Sequence, residues 1–193
     1  MDQFSDSKGK SHIPASPIEW PANLSDVGQL FAEESRLDVQ KHLDFAQITP
    51  KKRQESVGDF FHGKWLEEAV LEAVKSLPIE TKMGLEVRPH GGSVSMELDV
   101  VALRGHQLFV FSCSRSPRRG LLKQKGFEVG HRAAQIGGEE AKAFLVTLLP
   151  AHDVAGLQAD IRTDLGGALD VKVLGLNDLR DMDAKMHTLI MAD

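Results

Sequence analysis

Tyrosine is absent from this 193-residue chain, and there is one cysteine, Cys113. A single thiol excludes an internal disulfide framework and any zinc site built from clustered cysteines. Tryptophan occurs twice, at Trp20 and Trp65, so sequence-tolerant stacking of nucleobases on aromatic platforms has little to draw on. Eight prolines and seventeen glycines are too few for a low-complexity or fibrous chain. No apolar run approaches the roughly 18 residues of a membrane span. The N-terminus MDQFSDSKGKSHIP lacks the apolar stretch of a secretory signal, so a cytoplasmic location away from membranes is expected. No histidine pair has the spacing of a metal-binding motif, and neither Gly91-Gly92 nor Gly137-Gly138 is a phosphate-binding fingerprint.

What remains is an ordinary globular composition, 41% hydrophobic and 26% charged, with a net charge of −5. The charge is uneven. Between Arg104 and Arg132 stand seven Lys/Arg against one acid, Glu128, a local +6 that leaves −11 for the rest of the chain. A basic band on an acidic protein points to a polyanion held locally, with a solvated loop and helix face as the alternative.

Residues 1–24 are Ser-, Pro- and Lys-rich without apolar period and read as a flexible tail. Residues 25–55 read as a helix capped by Ser25 and running to about His42, followed by a linker through Thr49-Pro50-Lys51-Lys52-Arg53-Gln54. Residues 56–193 form the compact domain. Its first helix spans Asp59 to Leu77, with Trp65, Leu66, Ala69, Val70, Ala73, Val74 and Leu77 on one face and Pro78 as its stop. Strands are predicted at Leu85–Arg88, Met96–Leu103 and Gln107–Ser114, the last two joined by a turn at Arg104-Gly105-His106. A helix from Gly120 to Ile136, a strand from Lys142 to Leu149, a helix from His152 to Asp164, a strand at Val171–Leu174 and a helix from about Asn177 complete the order. That order defines an α/β fold, a mixed sheet with helices on both faces.

Alternation along the second strand puts Glu97 and Asp99 on one face, together with Val101 and Leu103. Two carboxylates on an apolar face are costly unless a cation lies between them, and a divalent ion with oxygen ligands such as Mg²⁺ or Mn²⁺ suits the pair. If that face is instead in solvent, the carboxylates are merely hydrated. Glu67, at the edge of the first helix's stripe, is in position to reach a cleft over the sheet; Glu68 and Glu72 lie further round and read as solvated. Cys113 reads as a small core residue, with no acid–base partner nearby to mark it as a nucleophile.

Gly63-Lys64-Trp65-Leu66-Glu67-Glu68, then Glu97-Leu98-Asp99-Val100-Val101, then the strand Leu108 to Cys113, then Gly137-Gly138 before Lys142-Ala143-Phe144-Leu145-Val146, together resemble the PD-(D/E)XK nuclease fold. More narrowly they resemble the nuclease domain of CRISPR ancillary nucleases, the type III effectors activated by cyclic oligoadenylate. The resemblance runs from about Asp59 to Leu149 and leaves out the tail and the last forty or so residues. It implies a restriction-endonuclease-like αβββαβ core with a helix–strand–helix addition, and a role in CRISPR or other prokaryotic antiviral defence. Such enzymes cut nucleic acid with Mg²⁺ or Mn²⁺, using the aspartate of Glu-x-Asp and a Glu-x-Lys on the next strand. The resemblance places the metal ligands on Asp99, Glu97 and Glu67 and the catalytic group on Asp99, Glu97, Ser112, Ser114 and Lys123.

Here the sequence departs from the pattern, because the Glu-x-Lys strand aligns with Ser112-Cys113-Ser114. A hydroxyl replaces an anionic ligand and another replaces the cation that polarises the phosphate, which points to weak or lost cleavage. Lys123 or Lys125 on the following helix could substitute for the missing lysine, giving an active nuclease as the alternative. Arg115, Arg118, Arg119, Lys123, Lys125 and Arg132 form the expected nucleic-acid-binding surface for DNA or RNA. A third reading is a protein-interaction scaffold docking a partner through the N-terminal tail and helix, and a homodimer is compatible with all three. Replacing Asp99 with Ala is expected to leave the fold intact, since it removes one of two like charges.

Overall fold

The computed structural model describes residues 18–19, 42–43, 63–88, 95–165 and 169–191. The chain divides into two units, Met1–Lys64 and Trp65–Asp193. Within the first, β1 (Ile18–Glu19) pairs antiparallel with β2 (His42–Leu43), Ile18 lying opposite Leu43. These strands fall in a stretch read from sequence as tail and at the end of a predicted helix. The rest of that helix, the linker and the domain start near Ser56 lie outside the described residues.

The second unit opens with α1 (Trp65–Lys75), which buries Leu66, Val70, Leu71, Ala73 and Val74. Its buried stripe includes Leu71, while Ala69, expected to be inside, is exposed. Five strands follow: β3 (Glu80–Val87), β4 (Met96–Arg104), β5 (Gln107–Ser114), β6 (Lys142–Thr147) and β7 (Val171–Leu174), hydrogen-bonded in that order. The first three pair antiparallel, with Gly105 at φ +62° in the β4–β5 turn, a backbone state that glycine reaches without strain. β6 and β7 are added parallel, each reached by a helical crossover, α2 (Arg119–Gly137) and α3 (Ala151–Asp164). The expected last helix is two, α4 (Leu176–Leu179) and α5 (Met182–Met191). The architecture is α/β, a mixed five-stranded sheet with helices on both faces, as the order of elements predicts.

Side chains from β5 feed both faces in turn. Phe109, Phe111 and Cys113 pack with α1 and α5 (Leu66, Val70, Val74, Met186, Ile190), and the Phe111 and Phe144 rings stack at 4.7 Å. Val110 joins Leu145 and Val173 under α2 and α3, against Leu122, Val129, Leu157 and Ile161. Each large apolar side chain buried this way contributes about 1.5–3 kcal/mol. Helix α2 sits close because Gly126 and Gly130 face the core. A Cβ on Gly126 would stand 2.5 Å from Ile161 Cδ1, and one on Gly130 2.7 Å from Val171 Cγ2. At the β7 edge the Gln158 amide donates to Val171 O (2.6 Å) and accepts from Val173 N–H (2.7 Å), occupying backbone groups that a further strand would need.

Candidate nucleic-acid and phosphate site

Sheet regularity fails at one place, and the site lies there. In β4, Val100 packs on the α1 side while Leu98 packs with Val101 on the α2 side, although residues two apart in a regular strand share a face. In β3 the same inversion separates Met83 from Leu85. The register is unbroken, Met83 opposite Val100 and Leu85 opposite Leu98, so Gly84 and Asp99 face each other where both pleats invert. Gly84 has φ +60°, which an L side chain seldom adopts, and this left-handed residue makes the inversion possible.

On the other flank of β4, pairing with β5 runs from Arg104–Gln107 to Val100–Phe111 and stops. Beyond that point β5 keeps β6 as partner and β4 keeps β3, so the two strands part. Into the gap goes the Asp99 carboxylate. Its Oδ2 accepts the Cys113 backbone N–H at 2.7 Å and the Ser112 hydroxyl at 3.2 Å. An orphaned N–H at a strand divergence needs an acceptor, and the aspartate supplies what a strand carbonyl would have.

Three charges surround the Cys113 thiol. Burial pushes it well above the usual thiol range, the Asp99 and Glu67 carboxylates push it further, and the Lys125 ammonium pulls it back. Cys113 is therefore an uncharged thiol at neutral pH, a core residue and not a nucleophile. Of these, Asp99 of β4 is in direct contact with the Cys113 backbone, while Glu67 of α1 and Lys125 of α2 act through their charge. Ser112 joins through Asp99. Ser114 is buried, and its Oγ accepts the Ser116 N–H at 3.4 Å, shaping the loop after β5.

Glu97 lines the same small cleft as Asp99 and Ser112. The inverted pleat means that simple alternation no longer explains their being together, and the Glu97 Oε1 lies 3.6 Å from where a Cβ on Gly84 would be. Among the described residues, no three His, Cys, Asp or Glu side chains group closely enough to hold a metal ion. A hard divalent cation wants several free oxygen ligands. Here Asp99 Oδ2 already accepts two hydrogen bonds and Ser112 is neutral, so the described residues offer a poor ligand set for Mg²⁺ or Mn²⁺.

The basic band is divided by the geometry of α2. At 100° per residue, Arg119 and Lys123 lie on one flank and Lys125, Glu128 and Arg132 on the other. On the first flank Arg119 pairs with Asp160 at 2.8 Å and Lys123 with Asp164 at 2.5 Å, two rungs of a ladder from α2 to α3. The Lys123 ammonium also lies 5.8 Å from the centre of the Phe127 ring. The i,i+4 spacing of Arg119/Lys123 and of Asp160/Asp164 was the available sequence signal for this ladder. On the second flank Arg132 pairs with Glu128 and donates to Glu97 O at 2.8 Å, tying α2 to the start of β4. Glu128 and Arg132 line a small cleft with Asp99 and Ser112. Arg115 is half-buried and Arg118 exposed, in the loop between β5 and α2.

The fold has relatives among solved structures. Protein VC1899 from Vibrio cholerae superposes with a TM-score of 0.56 and 23% identity, over 72% of this chain and 36% of that one. Can2 from Sulfobacillus thermosulfidooxidans, solved in complex with cyclic tetra-adenylate, superposes with a TM-score of 0.59 and 16% identity, over 90% of this chain and 46% of that one. This chain therefore spans less than half the length of either. No protein-family model and no curated protein matches the sequence. The likeness is one of fold: this chain has the mixed-sheet α/β architecture shared with Can2 and VC1899. Among the described residues, no helix is long and apolar enough to cross a membrane.

Proposed function

We propose that this chain is a nucleic-acid-binding protein on a PD-(D/E)XK-like scaffold, acting in CRISPR-linked or other prokaryotic antiviral defence, with weak or absent phosphodiester cleavage. The carrying observation is the parted β4–β5 pair, with Asp99 held by Cys113 N–H and Ser112 Oγ and serines at both positions aligned with the Glu-x-Lys. Losing one preorganised charge partner typically costs about 10²–10³ in rate, and this centre has lost an anionic ligand as well as a cation. The fold shared with Can2, which its structure shows in complex with cyclic tetra-adenylate, supports a setting in nucleic-acid defence.

One observation favours a second reading, an active nuclease whose lysine comes from α2. It is the convergence of Lys125 with Asp99 and Glu67 around Cys113. Labelled DNA and RNA, single and double stranded, incubated with the protein across a Mn²⁺ and Mg²⁺ series separate the two. The expected result is intact polymer or slow cleavage that Asp99→Asn does not change. Efficient cleavage lost in Asp99→Asn would establish the second reading instead.

A further inference from the structure

We infer that Lys125 is the residue of this centre that contacts a phosphate group, and that Lys123, two positions earlier, is a strut to α3. The inference rests on the nucleic-acid-binding reading above and assigns the contact within it. Three features carry it. First, the level of α2 along the sheet is fixed by Gly126, whose Cβ position lies 3.7 Å from Leu145 Cδ2, and Leu145 is the β6 partner of Ser112. Lys125, next in the chain, therefore stands beside the end of β5 where Asp99 bridges the gap.

Second, Lys125 shares its flank of α2 with Glu128 and Arg132, which line the cleft containing Asp99 and Ser112. Lys123 is on the opposite flank. Third, the other lysine and arginines of α2 are committed. Arg119 and Lys123 are bound to Asp160 and Asp164, and Arg132 to Glu128 and Glu97 O. Among the described residues Lys125 forms no ion pair. Its influence on the Cys113 thiol, opposed to that of Asp99 and Glu67, agrees with this position. A lysine is a point charge with three donors, suited to phosphate oxygens approaching from varied directions.

The test uses the full chain in two measurements. Protein carrying ¹³C at lysine Cε is titrated with inorganic pyrophosphate in EDTA at constant ionic strength, and lysine signals are assigned from Lys125→Ala and Lys123→Ala. A saturable shift at Lys125 that exceeds the shift at Lys123 is expected. In parallel, binding of labelled single-stranded DNA and RNA is followed against salt. Lys125→Ala should weaken binding several-fold and lower the log–log slope by about 0.7, the single-strand value for one phosphate contact, with Lys125→Arg retaining most of it. Lys123→Ala should change the slope less than Lys125→Ala. No response of Lys125 to pyrophosphate, or a larger loss in Lys123→Ala, overturns the assignment. If Lys125 responds while neither polymer binds, the nucleic-acid reading fails and the phosphate contact stands.

Discussion

Replacing Asp99 with alanine should destabilise the domain by about 1–3 kcal/mol, the cost of leaving a buried donor without its acceptor. Charge repulsion alone suggests no cost or a small gain, and the structure reverses that expectation. The Cys113 N–H has Asp99 Oδ2 at 2.7 Å, at a point where β5 no longer has β4 for a partner. Removing the carboxylate leaves that N–H unpaired and releases the Ser112 hydroxyl as well. Thermal unfolding should show a drop of several degrees in Tm. Asp99→Asn keeps an acceptor oxygen and should lose less. An Asp99→Ala variant as stable as the parent chain would mean that water or a local shift satisfies the gap, and that the aspartate is not what bridges it.

Restoring the two residues that the nuclease pattern calls for should convert the centre into a cation site. The Ser112 Oγ lies 3.2 Å from Asp99 Oδ2, so a glutamate at 112 puts a second carboxylate beside the first. Without metal the two repel, and Ser112→Glu/Ser114→Lys should melt lower than the parent. Burial of Ser114 adds to the cost of a lysine there. Mn²⁺ should then recover stability in the double variant while leaving the parent chain unmoved. A ligand at a hundred times its Kd stabilises by about 2.7 kcal/mol, an effect visible in a melting curve. Equal Mn²⁺ response in both proteins would show that the parent already holds the ion and that the serines are no obstacle.

Strands β5 and β7 begin and end where their apolar runs do, and α2 and α3 agree within a residue at each end. These elements are bounded by local signals such as Gly105, Gly137-Gly138 and Pro150, and nothing distant overrides them. The first half of β3 was not legible, since Glu80-Thr81-Lys82 is half exposed at a sheet edge and carries no strong apolar period. Asp99 was singled out by its motif, but its orientation was not. Alternation assumes an uninterrupted pleat, and the inversion at Gly84 and Asp99 breaks it. A glycine inside a strand is a recognised sign of such irregularity, so Gly84 was the clue.

The charged residues show a similar limit. Counting basic residues from Arg104 to Arg132 treats them as one surface, but helical geometry sends Arg119 and Lys123 to α3 and Arg132 to β4, with Lys125 on the Arg132 flank. Exposed pairs of this kind contribute little stability, about 0–1 kcal/mol each, yet they neutralise Arg119, Lys123 and Arg132, three of the seven cations in the count. The surface left for a polyanion is smaller, with exposed Arg118 in the loop after β5 and Lys125 on α2.

The central claim, that this domain holds nucleic acid without cutting it efficiently, is tested most directly by one titration. Fluorescently labelled single- and double-stranded DNA and RNA are mixed with the full chain over a range of salt, and bound polymer is recovered and sized. The account predicts salt-sensitive binding of at least one polymer, with a log–log slope near two and a reduction of about 0.7–0.9 in Arg118→Ala, and recovery of that polymer at full length. Salt-independent binding, binding of none of the four, or recovery of short fragments whose formation requires Asp99 would contradict it.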